Sequence, residues 1–247
     1  MDEVLGVAML SMHRDMARVN QVAMNLSNAL TPAYKREVST AAVPGAQAFG
    51  SLWDAGMAAS MTGATGTAAT QSQLDMSAGT LKSTGQPLDL ALASSGFFEV
   101  QTEKGPAYTR QGNFRLDQRG RIVTAQGYPL MGKGGEIQLN TAQPAIDVYG
   151  NITDKQKPVA QIKVVQFEHA ERLQRIGEGL YAEGSEMRQL PDAEVQLRQG
   201  FLENANVSSA REMMELMQAM RHFESMQKVT QGYDDMIGSA IRKLGEM

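Results

Sequence analysis

Two stretches at opposite ends of the chain carry related patterns of apolar positions. After Met213 the apolar side chains fall at Leu216, Met220, Phe223, Met226, Val229, Tyr233, Met236 or Ile237, Ala240 and Leu244. Steps of three and four mark a helix with one apolar stripe and predict a helix over residues 209–244. No proline interrupts it. Ser208 or Ser209 with Glu212 supplies a start, Arg242 and Lys243 sit where the helix dipole favours cations, and Gly245 supplies the stop. At the α-helical rise such a segment runs about 55 Å, longer than a small domain is wide. One globule cannot enclose it.

At the other end, Leu5, Met9, Met12, Met16, Val19, Ala23, Leu26 and Leu30 alternate steps of four and three without a break. A strict seven-residue repeat predicts a left-handed supercoil against a partner helix, and the terminal helix is the obvious partner. The alternative is that the two helices pack separately on a central domain. Seam residues expected to make the contacts are Leu5, Met9, Met12, Met16, Val19 and Leu26 against Leu216, Met220, Phe223, Val229, Tyr233 and Ile237. Val4, Val22, Met214 and Met217 lie off these stripes and predict a second apolar face for neighbours, and hence self-association or assembly with similar chains.

Pro32 disfavours helix at Thr31 and ends the first helix near residue 30. Residues 37–77 are rich in Ala, Gly, Thr and Ser and read as a connector, either disordered or ordered only within an assembly. Trp53 within it is either an anchor between subunits or a local packing residue. From Leu81 to about Ala182 short alternating runs separated by Gly and Pro predict an antiparallel β domain. Strands are expected at Leu88–Leu92, Gly96–Val100, Tyr128–Met131, Glu136–Leu139, Ala145–Val148 and Val159–Phe167, with a hairpin joining Phe114–Leu116 to Ile122–Thr124 across Asp117–Gly120. The expected fold class is therefore α+β. Long N- and C-terminal helices (1–30 and 208–247) pair as a coiled-coil unit, connectors span 31–80 and 185–207, and a β-rich outer domain spans 81–184.

Composition adds little chemistry. Seventeen Met against seven Phe and one Trp point to adaptable helix packing rather than a metal-binding cluster, because the Met residues fall at helical spacing. The formal charge of -4 gives no footprint for nucleic acid. No apolar run is long enough to span a bilayer, and Asp2 and Glu3 stand where a cleavable signal would be basic. Without Cys the chain has no disulfide or thiolate chemistry. His13, His169 and His222 show no ligand spacing, and Gly132-Lys133-Gly134-Gly135 lacks the form of a phosphate loop. A hydrolase using Asp117 or Glu136 would lack any cleft signature. No catalytic, cofactor-binding or metal-binding residue is expected, and no cofactor.

Three motifs carry a resemblance. Asn25-Leu26-Ser27-Asn28 is followed by Thr31-Pro32-Ala33-Tyr34-Lys35-Arg36; the middle holds Tyr108-Thr109-Arg110-Gln111-Gly112-Asn113-Phe114, then Asp117 to Gly120 and Gly127-Tyr128-Pro129-Leu130; the last helix holds Ala219-Met220-Arg221-His222-Phe223-Glu224. This set resembles the flagellar basal-body rod protein family, the axial rod and hook proteins. Ser27 and Ala33 depart from its usual Ala and Gly, and a turn needing positive φ at residue 33 would strain Ala. The resemblance implies a structural rod subunit without enzymatic activity. Its partners would be copies of itself, other rod proteins of the proximal and distal types, and the flagellar type III export apparatus. It would sit in the basal-body rod crossing the periplasm, with terminal helices inside and the β domain outward. The opening residues and short connector look more like the proximal than the distal rod type. A non-flagellar secreted coiled-coil module is the competing class.

Overall fold

The computed structural model describes residues 2–41, 70–141, 143–154, 157–182, 184 and 186–245. Trp53 and the side chain of Leu5 lie outside the described residues. Among those described there are two α-helices, α1 (Asp2–Ser27) and α2 (Ser209–Gly245), with a β-rich middle between them.

The body is organised by a six-stranded antiparallel sheet. Its strands lie in the order Arg175–Gly177, Leu180–Tyr181, Gly105–Thr109, Phe97–Thr102, Val164–Phe167 and Met187–Gln189. Successive side chains in a strand point to opposite faces, and here both faces are covered. Phe98, Val100, Ala107, Val164 and Leu180 enter the larger core with Leu90, Ile122, Leu130, Ile137 and Ile162. Phe97, Tyr108, Val165, Phe167 and Tyr181 enter a second core with Leu74 and Leu173. The second core is aromatic: the Phe97 ring meets Phe167 edge-on at 5.5 Å and Tyr181 at 5.6 Å. Edge-to-face packing suits the ring quadrupoles, so it adds direction to the apolar burial.

Arg115–Leu116 pairs with Ile122–Val123 across the expected turn. The expected strand Val159–Phe167 is two strands, because Lys157–Gln161 pairs with Asn151–Asp154 while Val164–Phe167 joins the large sheet. The break lies at Ile162 and Lys163, whose amides donate to Gly150 and Met131 carbonyls. Ile162 and Val164, two residues apart and so on one face, both enter the larger core. On its way back to α2 the chain adds Leu197–Gln199 against Leu90–Leu92, and Phe201–Glu203 against Leu81–Ser83.

The expected coiled-coil unit is not formed. Among the described side chains of the two helices the buried ones are Ala8, Val22, Asn25, Glu212 and Ala219, none of them in the expected seam. Met9, Met16, Met220, Val229 and Ile237 of that seam are instead 38–60 % exposed. Where α1 meets α2 the described contacts include charged and polar pairs: Asp15 with His222 at 2.6 Å, Asn25 with Glu212 at 3.2 Å, and Arg18 with Glu215 at 3.9 Å. The helices are thus set by polar partners and by small residues that permit close approach, whereas interdigitated seam side chains would have required the stripe to turn inward.

Candidate functional site

The first signature motif and Arg110 of the second meet at a joint between the helix ends and the β body. Lys35, just beyond α1, is about 1 % exposed, and burying a lone ammonium would be costly. It is matched by Glu203, at the end of the strand that returns to α2. The Lys35 Nζ lies 2.7 Å from Glu203 Oε1 and donates to the Ser77 carbonyl at 2.8 Å. Arg110, from the middle of the chain, donates through Nε to Glu203 Oε2 at 2.9 Å. Its other nitrogens donate to the carbonyls of Leu92, Ser94 and Gly96. The Gly79 amide donates to Glu203 Oε1 at 2.9 Å. One carboxylate therefore ties together four separate stretches of chain.

Burial is the largest influence on both partners. It holds Lys35 below the ordinary lysine value against the opposing pull of Glu203. For Glu203 burial alone would push the carboxyl up, but Arg110 and Lys35 outweigh it and hold the carboxyl below the usual glutamate range. Both charged forms are kept by pairing, as a buried ion cluster requires.

Beside this triad lies a second set centred on Asn25. Its Oδ1 accepts from the Tyr34 hydroxyl at 3.2 Å and the Glu37 amide at 2.9 Å, while Nδ2 donates to the Glu37 carbonyl at 2.9 Å and Glu212 Oε2 at 3.2 Å. An amide side chain has two donors and one acceptor oxygen, and all are used. Glu212 also pairs with the Arg36 Nε, and Arg36 reaches Glu215 at 3.0 Å. These pairs, with burial opposing them as the largest influence, hold the Arg36 guanidinium above its ordinary value. Asn206 accepts from the Arg36 amide at 2.6 Å and donates to the Asp75 carbonyl at 2.8 Å. The Arg175 guanidinium covers the Tyr34 ring at 4.3 Å and donates to the Lys35 carbonyl at 2.7 Å.

The remaining signature residues shape turns and packing along the chain. Asn28 closes α1 by donating to the Met24 carbonyl at 2.9 Å and accepts from the Thr31 hydroxyl at 3.2 Å. Pro32 precedes Ala33, whose φ of 56° puts it in the left-handed region while its amide donates to the Glu203 carbonyl at 2.7 Å. Tyr108 packs on Phe167 at 5.0 Å, Thr109 donates to the Gly179 carbonyl at 2.8 Å, and Phe114 packs on Phe98 at 5.3 Å. Gly112 runs so close to Leu90 that a Cβ would sit 1.6 Å from its carbonyl oxygen. Asp117 accepts from the Arg119 and Arg121 amides at 2.8 Å each and closes the hairpin turn with Gly120, while Gly127 closes the next turn onto Thr124.

The expected seam residues do not gather at the joint. Met12, Val19, Leu26, Leu216, Phe223 and Tyr233 are half-buried along the helices, and Met16, Val19, Met220 and Phe223 line one groove between α1 and α2. Glu203, Asn206, Gly79 and Glu212 belong to the joint but were not among the expected site residues. Glu212 looked like a helix-start residue, yet its carboxylate turns to Asn25 and Arg36. Nothing in local spacing marks Glu203, since its partners lie 93 and 168 residues away. Among the described residues no group of three His, Cys, Asp or Glu could hold a metal ion. The charged groups of the joint are engaged with one another, an arrangement that fixes geometry.

Two family descriptions match the chain: Flagellar basal body rod FlgEFG protein C-terminal over residues 198–243, and Flagellar hook protein FlgE/F/G D1 domain over residues 91–154. The flagellar basal-body rod protein FlgG of Bacillus subtilis is 34 % identical over 208 residues, covering 74 % of this chain and 79 % of that protein. The rod protein FlgF of Rhizobium meliloti is 30 % identical over 176 residues, covering 70 % and 73 %. FlgF of Escherichia coli is 28 % identical over 260 residues, covering 99 % of both chains. With matches reaching both the body and the last helix, the chain belongs to the flagellar basal-body rod protein family and is a structural subunit of that rod.

Proposed function

We propose that this subunit belongs to the proximal, FlgF-type part of the rod, and that its helices carry the contacts between subunits while the β-rich body faces outward. One observation carries the division of labour: large apolar side chains from Met9 on α1 to Ile237 on α2 are left open to solvent in the single chain. Contiguous exposed apolar surface marks an interaction site, and repeated head-to-tail contacts between copies generate a helical tube. The proximal assignment is supported by the FlgF proteins of Escherichia coli and Salmonella typhimurium, which match over 99 % of both chains. The FlgG match in Bacillus subtilis supports the distal type as the second reading.

In this reading residues 1–30 and 208–247 serve assembly, 81–184 form the outer body, and 31–80 with 185–207 bear the joint. Lys35, Gly79, Glu203 and Asn206 fall within those last two segments, which supports a joint that passes torque from helices to body. Assembly is with other rod and hook proteins. Delivery through the flagellar type III apparatus to the periplasm-crossing rod completes the proposal.

The chain has no Cys, so single cysteines introduced at Met9 and Met220 are the only sites for disulfide cross-linking. In isolated basal bodies they are expected to link neighbouring subunits. Cross-links confined within one chain would refute the helical contact surface. Restoring motility to a strain lacking FlgG, but not to one lacking FlgF, would replace the proximal type by the distal.

A further inference from the structure

We propose that the thioethers along α1 and α2 are modification sites: a peroxide oxidises them in the free subunit, the sulfoxide form is refused by the growing rod, and a sulfoxide reductase restores it, a dithiol giving up two electrons and two protons as the oxygen leaves as water. The inference rests on the reading that these helical faces make the subunit contacts. Met9, Met16, Met213, Met214, Met217, Met220 and Met236 are 51–65 % exposed. In the β-rich body the exposed Met among the described residues is Met187, at 38 %. Oxidisable sulfur is therefore concentrated on the helices. Because the chain has no Cys, no thiol competes for the oxidant.

The chemistry is an oxygen transfer. A sulfur lone pair attacks one peroxide oxygen, the O–O bond breaks, an S–O bond forms, and the departing oxygen takes a proton to leave as water. Sulfur gives up two electrons and the peroxide is reduced. The product is polar and chiral where the thioether was apolar and flexible, and such a change disrupts Met-rich contacts. Met16 and Met220 come from different helices yet line the same groove of about 370 Å³ with Val19 and Phe223, so two oxidisable sulfurs share one apolar surface. Once neighbours cover these faces the sulfurs are shielded, which makes the free subunit the vulnerable form.

The test uses the full chain. Purified subunit is treated with hydrogen peroxide, quenched with catalase, mixed with untreated neighbouring rod subunits and pelleted, and the oxidised positions are read by mass spectrometry in free subunits and in intact basal bodies. The seven methionines are expected to oxidise in the free chain and to be protected in basal bodies. Pelleting should fall at least tenfold and return after sulfoxide reductase and dithiothreitol. A variant carrying Leu at the seven positions, or only Met16→Leu with Met220→Leu should the full set fail to assemble, is expected to pellet with reduced or no sensitivity to peroxide. Undiminished pelleting of the oxidised chain, or equal sensitivity of the Leu variants, overturns the inference while leaving the contact surface intact. Equal oxidation of these methionines in basal bodies overturns the contact surface itself, and the inference with it.

Discussion

Replacing Glu203 by Gln tests whether the joint depends on that carboxylate's charge. The exchange keeps shape and one acceptor oxygen but removes the counter-ion of two buried cations, Lys35 and Arg110. Removing one member of a buried ion pair costs roughly 3–5 kcal/mol. Two structural features limit the loss. Lys35 can shed its proton, which for an ordinary lysine at neutral pH costs about 5 kcal/mol and costs less here, because burial already lowers its value. Arg110 stays charged but keeps three backbone carbonyls. The expected loss is about 3 kcal/mol, or a urea midpoint lower by about 1 M for a domain with a slope near 3 kcal/mol per M.

The pH dependence carries a sign. The folded Glu203 carboxyl lies below its unfolded value, so its stabilisation is present above the ordinary glutamate value of about 4.3 and is lost as pH falls through the folded one. The gap between the two proteins, followed by circular dichroism in urea, should therefore be full at pH 7 and narrow below about pH 4. Lys35→Met combined with Glu203→Gln should cost less than the sum of the two single changes, since the uncompensated ammonium is gone. A midpoint shift under about 0.2 M at pH 7, or a gap that does not change with pH, would refute the ionic account of the joint.

Three further outcomes follow from local geometry. Gly112→Ala would place a Cβ 1.6 Å from the Leu90 carbonyl oxygen, so it should lower the melting temperature sharply or prevent folding, whereas Gly134→Ala, with open space around it, should be nearly silent. Ala33→Val adds a branched side chain at φ 56° in a buried turn and should cost about 2 kcal/mol or more in urea unfolding. Ala33→Gly should be close to neutral, because relief of roughly 1–2 kcal/mol of left-handed strain is offset by about 0.8 kcal/mol of lost methyl burial and a more flexible unfolded chain. Asn25→Leu strands the Glu37 amide and leaves the Tyr34 hydroxyl to Arg175, so amide exchange in α1 should rise while the sheet around Phe98 and Val165 keeps its protection.

Both helices, the hairpin at Arg115–Val123 and the β character of the middle were legible in the residue pattern, because helical period, turn glycines and alternation are local properties of the chain. It also marked Asn25, Tyr34, Lys35, Arg36 and Arg110, but as a resemblance with no stated physical task. Folding supplied the task, by bringing Glu203 and Glu212 to Asn25, Lys35, Arg36 and Arg110 from 93 to 187 residues away. It likewise decided which face each helix turns inward. The heptad steps through Met9, Met16 and Met220 satisfy a buried seam as well as an outward stripe, and periodicity cannot distinguish the two. Fixed bonds at the joint from Asn25 and Arg36 to Glu212 set the rotation, leaving Ala8, Val22 and Ala219 buried and Met9, Met16 and Met220 more than half exposed.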